Sequence, residues 1–287
     1  MPHGRSMAAE VDVLMEWLQE SESVRVGTRA DIVVIEWPGI LRLQATAMQD
    51  VADIETLSEV DSKTMHKLRC GLARAVPSYL RGQVVLHASS VAVENRGLII
   101  AGVRGAGKST IAAALCARGA GLLADDSTVV DVRTTALMVD ALERDHWLGE
   151  DSRRVLGLST EAEDEKVPIA SSRVAVACPL NVLVVLHTHN EEKVVATRQR
   201  GINAVRTVLD HAFRLPLRDR ALRDCDAFVG LAKTIPIYNV YRPRTFSHDS
   251  LTELAIQLEQ LLVGGLVGPC CRQVDSRPSC ESRVETR

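Results

Sequence analysis

Hydrophobic residues recur along the chain with two different periods, and the shorter period predicts strands. Short runs rich in Val and Ile, bounded by Gly, Pro, Asn or Asp, are typical of strands. Pro38-Gly39 and Asn95-Arg96-Gly97 predict turns between successive strands. The predicted strands are residues 24–26, 32–37, 40–46, 84–87, 89–93, 98–101, 122–124, 129–132 and 181–186, with 237–241 as an edge strand.

Apolar residues spaced by three and four positions predict helices elsewhere. Asp61 is a suitable N-cap for a helix over 62–79, and Gly119 ends a helix over 108–118. Residues 204–213 and 250–262 show the same spacing. A weakly amphipathic stretch containing Val11, Leu14, Met15 and Leu18 predicts a short helix within residues 1–22.

The order of these elements predicts an α/β fold. Strand, glycine loop, helix and strand follow one another from residue 98 to 124, which is an α/β unit. We expect a small β-containing region over 1–60, a main domain over 61–263, and a disordered tail over 264–287. Residues 142–167, which end in an acidic run, are expected to be solvated and mobile.

Composition narrows the classes of function. The 287 residues include 46% hydrophobic and 25% charged residues, which is typical of a globular protein and excludes general disorder. The net charge is −3 and aromatic residues make up 3%, so nucleic acid is not an expected partner. Because no apolar run approaches about 18 residues and the seven cysteines are scattered, we expect a cytoplasmic protein with no membrane partner.

Residues 102–109 match the phosphate-loop pattern G-x-x-x-x-G-K-S. The loop follows an apolar strand and opens a helix, so backbone N–H groups and the helix N-terminus would face phosphate oxygens. Lys108 would neutralise the β- and γ-phosphates of ATP, and Ser109 would bind Mg²⁺. The alternative is a glycine-rich turn with an exposed lysine. The predicted nucleotide-binding residues are Gly102, Arg104, Gly105, Ala106, Gly107, Lys108, Ser109 and Thr110.

Two further polar features lie near this loop in the sequence. Asp125 and Asp126 follow a strand that we expect next to the strand carrying the loop, at the edge where α/β sheets bind ligands. One carboxylate could orient Mg²⁺ and the other could accept a proton from an attacking hydroxyl. Taken alone, such a pair is usually a turn or a helix cap, and a single histidine such as His87 is usually structural.

The spacing of these residues resembles the catalytic domain of HPr kinase/phosphorylase and its relatives. His87 lies 21 positions before Lys108, Asp125 lies 17 positions after it, and the run Leu123-Ala124-Asp125-Asp126 completes the pattern. The resemblance covers residues 80–132 and extends more weakly to 262. It implies a P-loop kinase that transfers phosphate from Mg²⁺-bound ATP to a serine hydroxyl.

On this resemblance, Asp126 is our choice of general base, with His87 beside the acceptor and Asp125 supporting the metal. The roles of the two aspartates could be exchanged. The chain lacks a counterpart of the HPr-docking segment, so neither HPr as acceptor nor the phosphorylase reaction is implied. The run His87-Ala88-Ser89 resembles kinases of ribosomally made peptides, including lasso-peptide precursors.

We therefore expect a peptide or small-protein acceptor that carries a serine hydroxyl. A free-serine kinase is the second alternative, and a non-catalytic nucleotide-sensing module is the third. Relatives of this fold commonly assemble, so the resemblance also makes a homo-oligomer an expectation. Six arginines were candidates for a cation at the transferring phosphoryl group, namely Arg144, Arg153, Arg154, Arg214, Arg218 and Arg220.

Overall fold

The computed structural model describes residues 12–19, 22–159, 166–191, 193–245 and 247–264. Residues 1–11 lie outside this part, and so does the predicted tail from residue 265 onwards. The strands are β1 Asp12–Gln19, β2 Glu22–Arg29, β3 Ile32–Trp37, β4 Leu41–Ala45, β5 Asp53–Thr56, β6 Val84–Val93, β7 Arg96–Gly102, β8 Gly121–Ala124, β9 Ser127–Asp131, β10 Met138–Val139, β11 Asp145–Gly149, β12 Lys166–Ala170, β13 Cys178–His189, β14 Val195–Gln199 and β15 Ile237–Pro243. The helices are α1 Ser62–Cys70, α2 Leu72–Leu80, α3 Lys108–Ala117, α4 Glu150–Val155, α5 Gly201–His211, α6 Ala221–Thr234 and α7 His248–Val263.

The first five strands form an antiparallel meander in the order β1-β2-β3-β4-β5. The helix predicted within residues 1–22 is wrong, because Asp12–Gln19 is a strand paired with β2. Val13, Met15 and Trp17 also alternate with period two, and pairing with β2 favours that period over the weak helical one. The turn at Pro38-Gly39 is confirmed, with Gly39 at φ +78° between β3 and β4.

The main sheet is mixed, with the order β10-β9-β6-β7-β13-β15-β14 and with β8 paired to β6. Strands β7, β13 and β15 are parallel, whereas β6 and β14 run antiparallel to their neighbours. This confirms an α/β protein and corrects two expectations. β15 is not an edge strand, because β14 covers it. β8 does not lie next to β7, because β6 separates them.

Strand β6 organises the edge of the sheet that carries the loop. The structure has one strand over Val84–Val93 where two short strands were predicted. Because β6 is antiparallel to β7, its early residues lie beside the end of β7, with Ala88 opposite Ala101. On its other side β6 pairs first with β9 and then with β8. The bend between β8 and β9, which contains Asp125 and Asp126, therefore lies beside His87.

Helices cover both faces of the main sheet. On one face α3 and α7 pack through Ile111, Leu115, Leu254 and Leu258, and on the other α5 and α6 pack through residues such as Val208 and Leu231. The predicted helices near 108–118, 204–213 and 250–262 are confirmed with small shifts of their ends. None of the helices in the described ranges is long and apolar enough to cross a membrane.

The segment over 142–167 is more ordered than expected. Its described residues form β11 and α4, and β11 pairs with β12. Trp147 of β11 is only 5% exposed. Pairing with β12, which begins after the acidic run, supplies the order that the local pattern does not indicate. The acidic run 161–165 lies outside the described residues.

The helix predicted over 62–79 is two helices that meet at Gly71, and the Asp61 cap is confirmed by a 2.9 Å hydrogen bond from the Thr64 N–H. Helix α2 is buried against the meander and the main sheet, where Val76 and Tyr79 share one apolar cluster with Leu43 of β4 and Val85 of β6. Helix α1, in contrast, has no buried residue.

Because this cluster spans the meander and the main sheet, we expect the two to unfold together. Leu43→Ala removes a fully buried side chain and should reduce the free energy of unfolding by about 2–5 kcal/mol while keeping one thermal transition. Differential scanning calorimetry measures both quantities. Met48→Ala, at a residue that is 92% exposed, is the control. Two separate transitions, with only the first shifted, would contradict a shared core.

Candidate active site

The glycine loop joins β7 to α3 in the conformation that a phosphate cradle requires. Gly102 ends β7 at φ +148°, and a Cβ atom there would lie 2.9 Å from the Leu186 carbonyl oxygen. Gly107 precedes α3 in the left-handed region at φ +92°. Any larger residue would be strained at these positions. The loop therefore presents its backbone at the N-terminus of a ten-residue helix, where partial positive charge favours an anion.

Lys108 is folded back across the loop. Its Nζ donates to the Gly102 carbonyl oxygen at 2.9 Å and lies 3.4 Å from His87 Nε2. Burial lowers the pKa of Lys108, and the nearby Asp126 opposes this effect. The ammonium group thus lies over the loop and also contacts the Val103 carbonyl oxygen, at 3.5 Å.

His87 links Lys108 to Asp126. Its Nδ1 lies 3.5 Å from Asp126 Oδ1. Since an ammonium group can only donate, Nε2 must accept from Lys108, and this assigns the ring proton to Nδ1, facing the carboxylate. Partial loss of hydration and the charge of Lys108 lower the pKa of His87, although 55% of its side chain is exposed. The ring is therefore mainly neutral at pH 7.

Asp125 points the other way, into the protein. One oxygen accepts from the Ser89 hydroxyl at 2.7 Å, and the other accepts from the Trp147 N–H at 2.6 Å. Ser109, at the start of α3, lies near this carboxylate and helps to lower its pKa. Burial raises the pKa of Asp125 to about 7 despite these bonds. Adjacent side chains thus have separate surroundings, with Asp125 in the core and Asp126 at the surface of the site.

Glu143 is a third acid at this site, and sequence reasoning missed it. It is 4% exposed, and neither carboxylate oxygen has a hydrogen-bond partner among the described residues. Burial, with the charges of Asp125 and Asp126, raises its pKa to about 8. No sequence motif marks it, because Glu143 follows a loop whose path is set by its N–H bond to the Leu123 carbonyl oxygen.

The donors around the loop suit a hard cation. Hydroxyl and carboxylate oxygens are the ligands of Mg²⁺, and the unpartnered, buried Glu143 beside Asp125 indicates a place for positive charge. Within the described ranges, no three His, Cys, Asp or Glu side chains are arranged to hold a metal by themselves.

A buried arginine forms hydrogen bonds to the backbone of the loop. Arg242 of β15 donates from Nε and Nη2 to the Ala106 carbonyl oxygen, at 2.9 and 2.8 Å. Burial lowers the pKa of Arg242 to about 10, which leaves it charged at neutral pH. Thr110, in the first turn of α3, shares a 2.7 Å hydrogen bond with Ser152 of α4. The predicted loop residues are thus held from two sides.

Most of the six candidate arginines contact parts of the protein away from the phosphate loop. Arg153 is buried and donates to the Leu148 carbonyl oxygen, Arg154 pairs with acids of its own helix, and Arg220 donates to carbonyl oxygens of α2. Arg144 is exposed, and the side chain of Arg218 lies outside the described part of the structure. Arg214 is the candidate that lines a groove shared with Asp126.

Three other basic residues lie near the site, and no sequence motif marks them. Lys166 of β12 helps to lower the pKa of Lys108, and Lys67 of α1 helps to lower that of His87. His211, at the end of α5, has its own pKa lowered by burial and by Lys108 and His87. Each comes from a segment far away in sequence, which is why spacing could not indicate it.

Comparisons with known proteins give structural likenesses without sequence matches. No protein-family model matches the chain, and no curated protein matches its sequence. Among solved structures, the HPr(Ser) kinase/phosphatase from Coxiella burnetii aligns over 61% of this chain and 88% of its own, with 12% identity and a TM-score of 0.36. The function proposed below rests on this chain's own residues.

Glu143→Gln should stabilise the metal-free protein at high pH. The unfolded chain loses the Glu143 proton near its ordinary pKa of 4.5, whereas the folded protein keeps it to about pH 8, so the free energy of unfolding falls as pH rises between these values. The glutamine does not titrate. With EDTA, we expect the variant to melt about 5 °C above the natural protein at pH 8 and close to it at pH 5.

The measurement is thermal unfolding at both pH values. Glu253→Gln, at an exposed residue of α7, is the matched control and should change neither melting temperature. The same shift at pH 5 and pH 8 would show that Glu143 is not a protonated buried acid.

Proposed function

We propose that the protein is a phosphotransferase that moves the γ-phosphoryl group of ATP to a serine hydroxyl of a peptide or small protein. One observation carries this proposal. Lys108, His87 and Asp126 form a continuous line from the phosphate loop to the surface, with separations of 3.4 and 3.5 Å. A protein that only binds nucleotide has no need of a carboxylate and an imidazole in line with the loop.

The loop would hold the nucleotide. Backbone N–H groups and the start of α3 would hold the β-phosphate, and Lys108 would exchange its contact with the Gly102 carbonyl oxygen for the γ-phosphate. Ser109 would hold Mg²⁺, with the carboxylate of Asp125 close to that hydroxyl. Glu143 would add negative charge nearby when a bound cation displaces its proton. When bound, the ion neutralises charge on the transferring phosphoryl group.

Asp126 would accept the proton of the attacking hydroxyl. Its carboxylate is partly exposed, whereas both oxygens of Asp125 already accept hydrogen bonds inside the protein. This difference favours Asp126 as the base and Asp125 as the residue that positions Ser109. His87, neutral and protonated on Nδ1, can donate to Asp126 and hold it towards the acceptor.

Asp126→Asn should lower the rate of phosphoserine formation by about 10²–10⁴-fold while leaving the Kd for ATP within about twofold. The amide cannot accept the proton but preserves the shape of the side chain. Transfer from γ-labelled ATP to serine peptides, with calorimetry for nucleotide binding, measures the two effects. Asp226→Asn, at an exposed residue of α6, is the control. Unchanged transfer in Asp126→Asn would remove the base assignment.

Lys108→Ala should weaken both ATP binding and transfer, because the ammonium group contacts the loop itself. The same assays compare it with Asp126→Asn. If the natural protein binds ATP tightly but phosphorylates neither serine peptides nor free serine, the nucleotide-sensing alternative replaces the kinase.

A further inference from the structure

A groove of about 960 Å³ runs between the meander and the main sheet, and the candidate base lies in its wall. Its other walls come from β2 and β3, from helices α1 and α2, and from residues 212–216 after α5. Asp126 belongs both to this groove and to the line that ends at Lys108. Asp126 therefore connects the groove to the residues that lead through His87 to the phosphate loop.

The walls are largely apolar and partly uncovered. Trp37, Leu68 and Phe213 line the groove, and each is only partly buried. Phe213 is held in place, because its N–H donates to the Val85 carbonyl oxygen at 2.8 Å and its ring meets that of Tyr79 edge-on at 5.8 Å. A preformed apolar surface of this kind favours a ligand with large hydrophobic side chains.

Two cations line the same groove. Lys67 and Arg214 are exposed there, and neither forms an ion pair with a described residue. Lys67 is close enough to His87 to influence its titration. Among the described residues that line the groove, the candidate base Asp126 is the only acid. The charge of the groove is therefore complementary to a carboxylate.

The size of the groove separates the possible acceptors. A volume of about 960 Å³ is near the upper end for pockets that enclose drug-sized ligands. Free serine has no apolar body to cover Trp37, Leu68 and Phe213. A peptide segment can fill the groove and still place one hydroxyl beside Asp126.

The geometry points to this groove as the acceptor site for a peptide that carries a large apolar side chain and a carboxylate close to its serine. This inference rests on the proposed function and adds the class of acceptor to it. The apolar side chain would lie against Leu68 and Phe213, and the carboxylate would approach Lys67 and Arg214. In the transfer, the serine oxygen forms a bond to the γ-phosphorus, the bond to the bridging oxygen of ADP breaks, and the hydroxyl proton goes to Asp126.

The test uses the full chain and a set of equal-length serine peptides. The parent peptide has Leu and Glu next to Ser. Three relatives replace Leu by Gly, Glu by Gln and Glu by Lys. Each peptide is made with a C-terminal acid or amide, which distinguishes a terminal carboxylate from a side-chain carboxylate. Free L-serine is compared with them. Fluorescence anisotropy without ATP measures binding, and labelled ATP measures transfer. For the natural protein we expect the parent peptide to exceed the Gly and Lys relatives by about tenfold in both.

Charge reversal provides the sharper readout. Lys67→Glu combined with Arg214→Glu should weaken binding of the Glu peptide by about tenfold and improve binding of the Lys peptide, both measured without ATP. Arg69→Glu is the matched control, since it reverses an exposed charge on the same helix outside the groove. Leu68→Ala should reduce the preference for Leu over Gly, and its side chain is not part of a buried cluster.

The outcomes separate this inference from the proposed function. The groove assignment fails, and the kinase stands, if serine is phosphorylated but the groove variants show the same peptide preferences as the natural protein. The same conclusion follows if free serine is as good an acceptor as the parent peptide. If peptides bind with the expected preferences but no phosphate is transferred, the kinase fails and the groove stands. Phosphate found by mass spectrometry on residues 265–287 instead of on peptides would overturn the peptide assignment in favour of the chain's own tail.

Discussion

The site depends on one buried carboxylate. Asp125 receives hydrogen bonds from the Ser89 hydroxyl on β6 and from the Trp147 N–H on β11, and Ser109 at the start of α3 lies near it. An acid in the interior loses hydration, and the rise of its pKa to about 7 reflects that cost. Two separate segments offset this cost by donating hydrogen bonds to the same carboxylate. Their relative positions, and with them the bend that turns Asp126 outwards, are fixed by the same group.

The local part of the site could be predicted from the sequence, and the long-range part could not. Gly102, Gly107 and Lys108 lie within seven residues, and their spacing specifies the loop directly. His87 needed the resemblance, since it reaches Lys108 only because β6 runs antiparallel to β7. Glu143 and Lys67 carry no local pattern, and contacts across the fold bring them to the site.

The wrong structural expectations have the same cause. β1 was predicted as a helix because its weak three-to-four spacing was visible, whereas its pairing with β2 was not. The pattern predicts β15 as an edge strand and predicts no strand over the residues of β14, so the partner that pairs with β15 is missed. Strand pairing is decided by partners elsewhere in the chain, so hydrophobic pattern alone specifies it poorly.

Helices α1 and α2 both line the groove, but substitutions in them differ in their effect on the stability of the protein. Helix α1 supplies Lys67 and Leu68 yet has no buried residue, and it joins the buried α2 through the break at Gly71. Exposed substitutions usually change stability by less than about 0.5 kcal/mol. On the proposed function, substitutions in α1 would change which peptide the groove accepts at little cost in stability, whereas substitutions in α2 would disturb the buried cluster beneath it.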